Sequence, residues 1–600
     1  MNSTRIFAAA LLSALSGASV CAEPPHNLIL FVPDGLRAQI VDASTAPTMA
    51  RLRDEGVNFR NSHALFPTFT TANASAFATG HQLGDTGDYA NTIYTGQPIQ
   101  GSVTPYVENN AVLRDLNQYL GGNYLHEPSI IGTAAALPAP NQISAALIGK
   151  LGPVAIFDPS ARAGTGTLII DDGTGQAGKG IPVSEAWRKL IEDSKIKPVD
   201  APSRSDNSRS GTFVANLAQT QYFLEMTLKV VLPRFKQVGK PFVLVYWSRD
   251  PDGTQHTQGD GGINGPTSLT ALRTADGALA AIEQTLKASG LYETTNIVVA
   301  ADHGFSTIAK DSENGTRQLP IGFLAADLAA GLQKQDSRLK LFDPDDNNKL
   351  IDPAIGNSKV ANGVIGIDPQ HPQVVVAGNG GSDLIYLPGI DPARVRKLGQ
   401  RVVQLLLERD YVSGIFVDDR RLGKVDGSLT LGDVGLMGQA VTPRPAIVVS
   451  FRSYVAKSCD RPEPLLCAME ISDHIYPAGG GMHGSFSRAD TWNFMAARGP
   501  DFRTKFVDDL PASNADIGMT IASLLQLQLA PKGQLLGRVL SEGLRGHEGD
   551  PLPKIEPQVR ESKPSPKGLK TILHTQTIAG YTYYDVAGFA GRTVGLDGHD

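Results

Sequence analysis

Four places far apart in this 600-residue chain set acidic or histidine side chains just past an apolar run, or inside a glycine-rich turn. Asp34 follows LILFVP, and Asp252 and His256 follow FVLVYWSRDP. Asp302 and His303 follow NIVVAA with Gly304 next, and His483 lies within GGGMHGS. In an open α/β sheet, groups beyond the carboxyl ends of the strands share one edge, so residues this far apart in sequence can converge there. Three Asp and three His supply mixed oxygen and nitrogen donors that suit zinc or a similar divalent ion. Singly, each has an ordinary reading: an Asp after a strand forms a turn, and a lone His is a surface or structural residue. The set is far more specific than its members.

The rest of the chain reads as an α/β protein with a mostly parallel sheet. Apolar runs at 27–32, 242–247, 296–301, 373–378, 446–451 and 493–498 predict strands. Three- and four-residue apolar spacing predicts helices over 47–55, 212–233, 267–288, 392–409 and 515–527. Hydrophobic residues at 41% and charged residues at 19% fit a folded globular chain and exclude a disordered one. Gly 63 and Pro 39 call for many turns and long loops. A net charge of −6 is small for this length and gives no reason to expect a nucleic-acid polymer or an anionic membrane as partner.

Residues 1–22 read as a signal peptide: Arg5, then IFAAALLSALSGASV, then small residues ending at Ala22. Cys21 raises a lipid-anchored alternative, which Val20 fits poorly. No later stretch is long and apolar enough for a membrane span, so the product is expected in the periplasm or secreted. In an exported chain, Cys459 and Cys467, eight apart, are most simply a disulfide. Residues 157–211, rich in Gly, Ser and Asp, read as an insertion, and 305–440 as another. The proline-rich stretch 548–568 reads as a linker, leaving 569–600 as a small appendage with a hairpin in TILHTQTI and YTYYDV.

Between the first two ligand groups lies FPTFTTANASAFATGH (66–81), where threonines open an alanine-rich helix. A helix N-terminus stabilises a phosphate or an attacking alkoxide, though threonine before a helix is more often an ordinary cap. At this point the chain resembles the alkaline phosphatase superfamily, in the branch of nucleotide pyrophosphatase/phosphodiesterases and their threonine-nucleophile relatives. The matching pieces, in family order, are VPDGLR (32–37), PTMARLRDEGVNF (47–59), FPTFTTAN (66–73), EPSIIGTAA (127–135), PDGTQHTQG (251–259), ADHG (301–304), HGS (483–485) and FMAARGPDF (494–502).

The resemblance implies a three-layer α/β fold with long insertions, and a site with two divalent ions, zinc best suiting the donors. Asp34, Asp302 and His303 would hold one ion with the oxygen of Thr70; Asp252, His256 and His483 would hold the other. Asn73 would bind a phosphoryl oxygen. Two such ions roughly 4 Å apart activate a threonine hydroxyl and stabilise the leaving oxygen of an in-line displacement. The implied reaction is phosphoester hydrolysis of a small molecule through a phosphothreonine at Thr70. Ligands running from Asp34 to His483 must then meet, so 23–547 is expected as one catalytic domain.

The chain departs from nucleotide pyrophosphatases at Thr71, where they carry an aromatic that stacks a base. Lys150, in ALIGKLGP, is a candidate substrate-binding cation of the kind a phosphomonoesterase uses. Diesters and pyrophosphates are the leading expectation. A threonine-type alkaline phosphatase or phosphonate-bond hydrolase is the alternative, with a non-catalytic binding protein third. Three stretches are set aside. GTGQAGKG (173–180) resembles a P-loop but has Gly180 where Ser or Thr is needed, and Pro182 spoils the helix start. FDPDDNNKLID (342–352) lacks the central Gly and final Glu of an EF-hand. Asp473–His474 has no preceding strand and is placed outside the ligand set.

Overall fold

Strand Asn27–Pro33 is apolar through its centre and buried at all seven positions, the pattern of a strand covered on both faces. In the computed structural model, the described residues are 24–597 except 140, 160–166, 177, 198, 204–214, 258–261, 311–317 and 356–357. The expected signal peptide therefore lies outside the described residues.

This strand sits inside an eight-stranded sheet. Its order is Phe506–Asp508, Val57–Phe59, Met495–Arg498, Thr295–Ala300, Asn27–Pro33, Phe242–Ser248, Ser144–Gly149 and Leu168–Asp171. Only Met495–Arg498 runs antiparallel to its neighbours. Side chains alternate between two cores, as the period of a strand requires. Leu28, Leu30 and Val32 pack with Phe77 and Trp247. Ile29 and Phe31 pack with Leu272, Leu279 and Ile282 of helix Pro266–Ser289. The result is the expected three-layer α/β architecture. Helix Pro266–Ser289 begins with Pro at its first position, where no N–H is missed, and stops at Gly290 with φ 74°.

Two expected strands belong elsewhere. Pro372–Ala377 and Ile447–Phe451 lie in a second eight-stranded sheet, whose neighbours are antiparallel except the last pair, Val412–Val417 with Leu429–Thr430. Val375 and Ala377 face the first core, while Val374 and Val376 face a third core with helices Phe323–Gln333 and Pro392–Leu406. Burial on both faces makes such strands continuous apolar runs, and those runs carry no record of direction. Much of 305–440 thus builds a sheet of its own. Part of 157–211 likewise joins the main sheet, through Leu168–Asp171 paired with Ser144–Gly149.

The stretch read as a linker also differs. Glu556–Glu561 is a strand paired with Ile572–Ile578, which pairs with Tyr581–Gly588. Every residue of Glu556–Glu561 is exposed, so this edge strand has the charge and proline of a linker. The two following strands form the expected hairpin, and they are seated in the body. Leu573, Tyr584 and Ala587 join the first core, Phe589 joins the third, and His63 Nε2 is 2.7 Å from Asp585. The disulfide Cys459–Cys467 is present, and no described helix is long and apolar enough to cross a membrane.

Phe589 is 1% exposed. Phe589→Ala is expected to destabilise the protein by about 3–5 kcal/mol, read as a lower denaturant midpoint with unchanged slope. A loss below about 1 kcal/mol would show that the C-terminal strands are not part of the cooperative core.

Candidate metal centre and active site

The main sheet delivers its ligands in strand order. Asp34 follows strand Asn27–Pro33, and Asp302 and His303 follow its neighbour Thr295–Ala300. On the other side, Phe242–Ser248 leads to the short helix Asp252–Gln255, which puts Asp252 and His256 one turn apart. His483 comes from the loop after Gly481–Met482. Each of the six is buried. The turn after Asp34 is tight enough to need glycine: Gly35 has φ 67°, and a Cβ there would lie 2.9 Å from Phe305.

Two groups form. His256 Nε2 lies 3.1 Å and His483 Nε2 3.5 Å from Asp252 Oδ1. His303 Nε2 lies 3.2 Å from Asp302 Oδ2 and 3.7 Å from Asp34 Oδ1. All three imidazoles donate their Nδ1–H to a backbone carbonyl, of Gly481, Gly304 and Thr68 respectively for His256, His303 and His483. A carbonyl can only accept, so in the neutral ring the Nε2 lone pair faces the carboxylates. Burial pushes the His256 and His303 pKa values down, well down for His303, which keeps these rings neutral.

Lone pairs facing carboxylate oxygens at 3.1–3.7 Å repel unless a cation lies between them. The facing oxygens, Asp34 Oδ1, Asp252 Oδ1 and Asp302 Oδ2, are buried and have no hydrogen-bond donor. Their partners across each carboxylate are satisfied: Trp247 Nε1 donates to Asp34 Oδ2 at 2.8 Å, and Gly35 N–H to Asp302 Oδ1 at 2.9 Å. Burial raises Asp34 and Asp302, the latter to about 7, and the neighbouring carboxylates add to both shifts. Orphaned acceptors, oriented lone pairs and crowded negative charge all fit divalent cations. Ligand atoms converge closely enough for one ion in the trio Asp252, His256 and His483 and for another in the trio Asp34, Asp252 and His303, so Asp252 is common to both, with Asp302 beside His303.

Thr70 is the first residue of helix Thr70–Thr79, all ten residues of which are buried. The residue before the helix is Phe69, with no side-chain cap. The hydroxyl of Thr70 is therefore not spent on capping. It lies 3.3 Å from His303 Nε2 and accepts from Lys150 Nζ at 3.3 Å. Lys150 follows strand Ser144–Gly149 and also meets Asp34 Oδ2 at 3.1 Å and Asp252 Oδ2 at 3.4 Å. These are not the orphaned oxygens, so the ammonium would not compete with a cation for the same atoms. Burial alone would lower the Lys150 pKa, but Asp252, Asp34 and Glu108 hold it above its ordinary value.

Asn73 is a correction. Its Oδ1 accepts from Leu65 N–H and Asn514 Nδ2, both at 2.8 Å, and its Nδ2 donates to Leu65 and Phe69 carbonyls. It braces the turn before Thr70, and its amide has no capacity left for a phosphoryl oxygen. Asn91 instead lines the cavity beside Thr70, its Oδ1 accepting from the Thr71 N–H at 3.0 Å and the Thr71 hydroxyl at 3.1 Å. Sequence reading missed Asn91 because no local pattern marks it. The Thr71 hydroxyl lies between two acceptors, 3.0 Å from Asp88 Oδ1 and 3.1 Å from Asn91 Oδ1.

The cavity holds about 770 Å³, with Tyr106, Tyr476 and Met482 on its wall and Tyr476 stacked on His256 at 4.4 Å. Gly173, Gln176, Gly178 and Lys179 of the P-loop look-alike also border it, with Arg249 ion-paired to Asp172. Among the described residues no helix begins at that loop, and the next described helix starts at Glu185. In 342–352, the Asp345 carboxylate accepts from Asn362 and Ser102, and Asp343 from the Asp345 and Lys359 N–H groups, so both acidic groups brace a hairpin. Asp473 accepts from the Gly322 and Leu324 N–H groups at the start of helix Phe323–Gln333.

A third buried cluster, His81, Asp85 and Glu127, was not legible in the sequence. Its carboxylates accept backbone N–H groups of Leu535, Gln439, Lys532 and Gly533. It clamps distant loops.

The type I phosphodiesterase / nucleotide pyrophosphatase family model matches residues 28–324. No curated protein matches the chain. The matched span contains Asp34, Thr70, Lys150, Asp252, His256, Asp302 and His303, and His483 is brought to them by the fold. That match, with the mixed α/β fold around a mostly parallel sheet, places residues 28–324 in the type I phosphodiesterase / nucleotide pyrophosphatase family, which belongs to the alkaline phosphatase superfamily.

Proposed function

We propose that the protein is an exported phosphoester hydrolase that uses two divalent cations and Thr70 as nucleophile. The observation that carries this reading is the Thr70 hydroxyl, buried at a helix N-terminus beside Asp/His groups whose carboxylate oxygens have no hydrogen-bond donor and face imidazole nitrogens. Asp252, His256 and His483 would hold one ion, and Asp34, Asp302 and His303 the other. Bound, the ions would lower the pKa of the Thr70 hydroxyl and offset charge on the phosphoryl group and leaving oxygen.

Thr70 Oγ1 attacks phosphorus in line with the leaving oxygen. The Oγ1–P bond forms as the P–O bond to the leaving group breaks, and the proton given up by Thr70 is made up on the leaving oxygen from solvent, so that a diester releases an alcohol and a pyrophosphate releases a phosphate. Water then cleaves the Oγ1–P bond, restoring the hydroxyl and releasing the phosphorylated product. The Asn91 amide, with its oxygen committed to Thr71, has its NH2 for a phosphoryl oxygen, and Lys150 adds a cation on the same side. The helix dipole adds to both.

Phosphodiesters and pyrophosphates are the favoured class, as the matched family supports. Tyr106 and Tyr476 offer the aromatic wall that Thr71 does not. Lys150 beside Thr70 favours a second reading, a phosphomonoesterase or phosphonate-bond hydrolase, because a dianion gains more from an extra ammonium. The leader and the disulfide support action outside the cytoplasm.

Thr70→Ala is expected to remove at least 99% of turnover, a loss of about 2.7 kcal/mol or more of transition-state stabilisation, while zinc content stays at the wild-type level. Retained turnover of an aryl phosphodiester would refute the nucleophile. His483→Ala is expected to lose roughly half of the bound zinc, since one of the two ligand groups is broken; full occupancy by elemental analysis would remove His483 from the ligands. Aryl phosphodiester and aryl phosphomonoester assayed side by side decide between the two readings.

A further inference from the structure

Lys150 Nζ faces four oxygens, and three belong to the machinery above: Thr70 Oγ1, Asp34 Oδ2 and Asp252 Oδ2. The fourth does not. Glu108 Oε1 lies 3.2 Å from the ammonium, and the Glu108 side chain is 5% exposed. Glu108 is in neither ligand group. Its Oε1 is buried and has no hydrogen-bond donor apart from that ion pair.

Two features hold it there. The next residue, Asn109, caps helix Asn110–Tyr119 by accepting the Ala111 and Val112 N–H groups, which fixes the backbone beside Glu108. Opposite, Gly152 leaves the space that Glu108 occupies, because a Cβ on Gly152 would lie 2.5 Å from Glu108 Cγ. The carboxylate is thus packed into the cavity wall against the one lysine that touches the nucleophile.

An ammonium beside Thr70 would favour a phosphomonoester, which carries close to two negative charges at neutral pH where a diester carries one. A carboxylate 3.2 Å from the same nitrogen opposes that field at the phosphoryl group, and in a site shielded from water like charges repel strongly. We propose that Glu108 is a specificity-determining residue: it neutralises Lys150 and turns the site toward singly charged phosphodiesters and away from doubly charged monoesters. The same repulsion acts on the product, since hydrolysis of a diester leaves a monoester dianion that Glu108 helps to expel. This inference rests on the phosphoester reading of the site.

The test uses the full-length zinc-loaded protein. Glu108→Gln keeps the shape and removes the charge. It is expected to raise the ratio of aryl phosphomonoester to aryl phosphodiester kcat/KM at least tenfold and to tighten inorganic phosphate binding, measured by calorimetry, at least fivefold. Glu108→Asp, which keeps the charge, should stay nearer the wild-type ratio than Glu108→Gln. The double variant Glu108→Gln/Lys150→Met restores the wild-type net charge and should return the ratio toward wild type, whatever its absolute rate. A ratio and a phosphate affinity unchanged in a folded Glu108→Gln protein would overturn the proposal. So would a double variant that keeps the monoester shift. A wild-type protein inert toward both esters would refute the hydrolase reading, and phosphate binding would still decide on Glu108: tighter in Glu108→Gln supports it, unchanged overturns it.

Discussion

Three buried carboxylates and three imidazole lone pairs meet at one edge of a parallel sheet, with acceptors aimed at acceptors. Such an arrangement is unfavourable without positive charge, since each buried acceptor left without a partner costs about 1–3 kcal/mol, and more when charged. The surrounding structure keeps it in place. Backbone carbonyls of Gly481, Gly304 and Thr68 hold the imidazoles in one tautomer, and Trp247 and Gly35 hold the outer carboxylate oxygens. The remainder of each ligand is left for a cation.

Thr70 depends on the same economy of donors. Thr70 opens a helix whose entry turn is braced by Asn73, so its hydroxyl is not needed for local structure. Lys150 then links the two ligand groups through oxygens that the cations do not need, and it touches Thr70. Positive charge at this point comes both from the chain and from the ions it can hold. Glu108 sets how much of the chain's share a substrate meets.

The strand ends, the six converging Asp and His residues, Thr70 beside them and the disulfide were all legible, because each has a local mark: an apolar run closed by a ligand-type residue, threonines opening an alanine-rich helix, or two cysteines eight apart. Asn73 shows where that reading fails. It lies three residues after the nucleophile, one turn along the helix, yet its amide is consumed by Leu65, Phe69 and Asn514. Asn91 has no local mark and reaches the site only because Thr71 holds it. Glu556–Glu561 fails in the opposite sense, since an exposed edge strand and a linker need the same polar residues.

By itself the sequence determined the chemistry: which donors exist, that they follow strands, and that a threonine precedes a helix suited to anions. These depend on residue type and short-range periodicity, which one chain displays directly. The tertiary structure alone decided strand direction in the second sheet, the seating of the C-terminal hairpin, and which asparagine, lysine and glutamate share the cavity with Thr70. Those depend on pairings between segments tens to hundreds of residues apart, such as Lys150 with Asp34 and Glu108. Geometry of that kind is set by packing, and side-chain identity leaves it open.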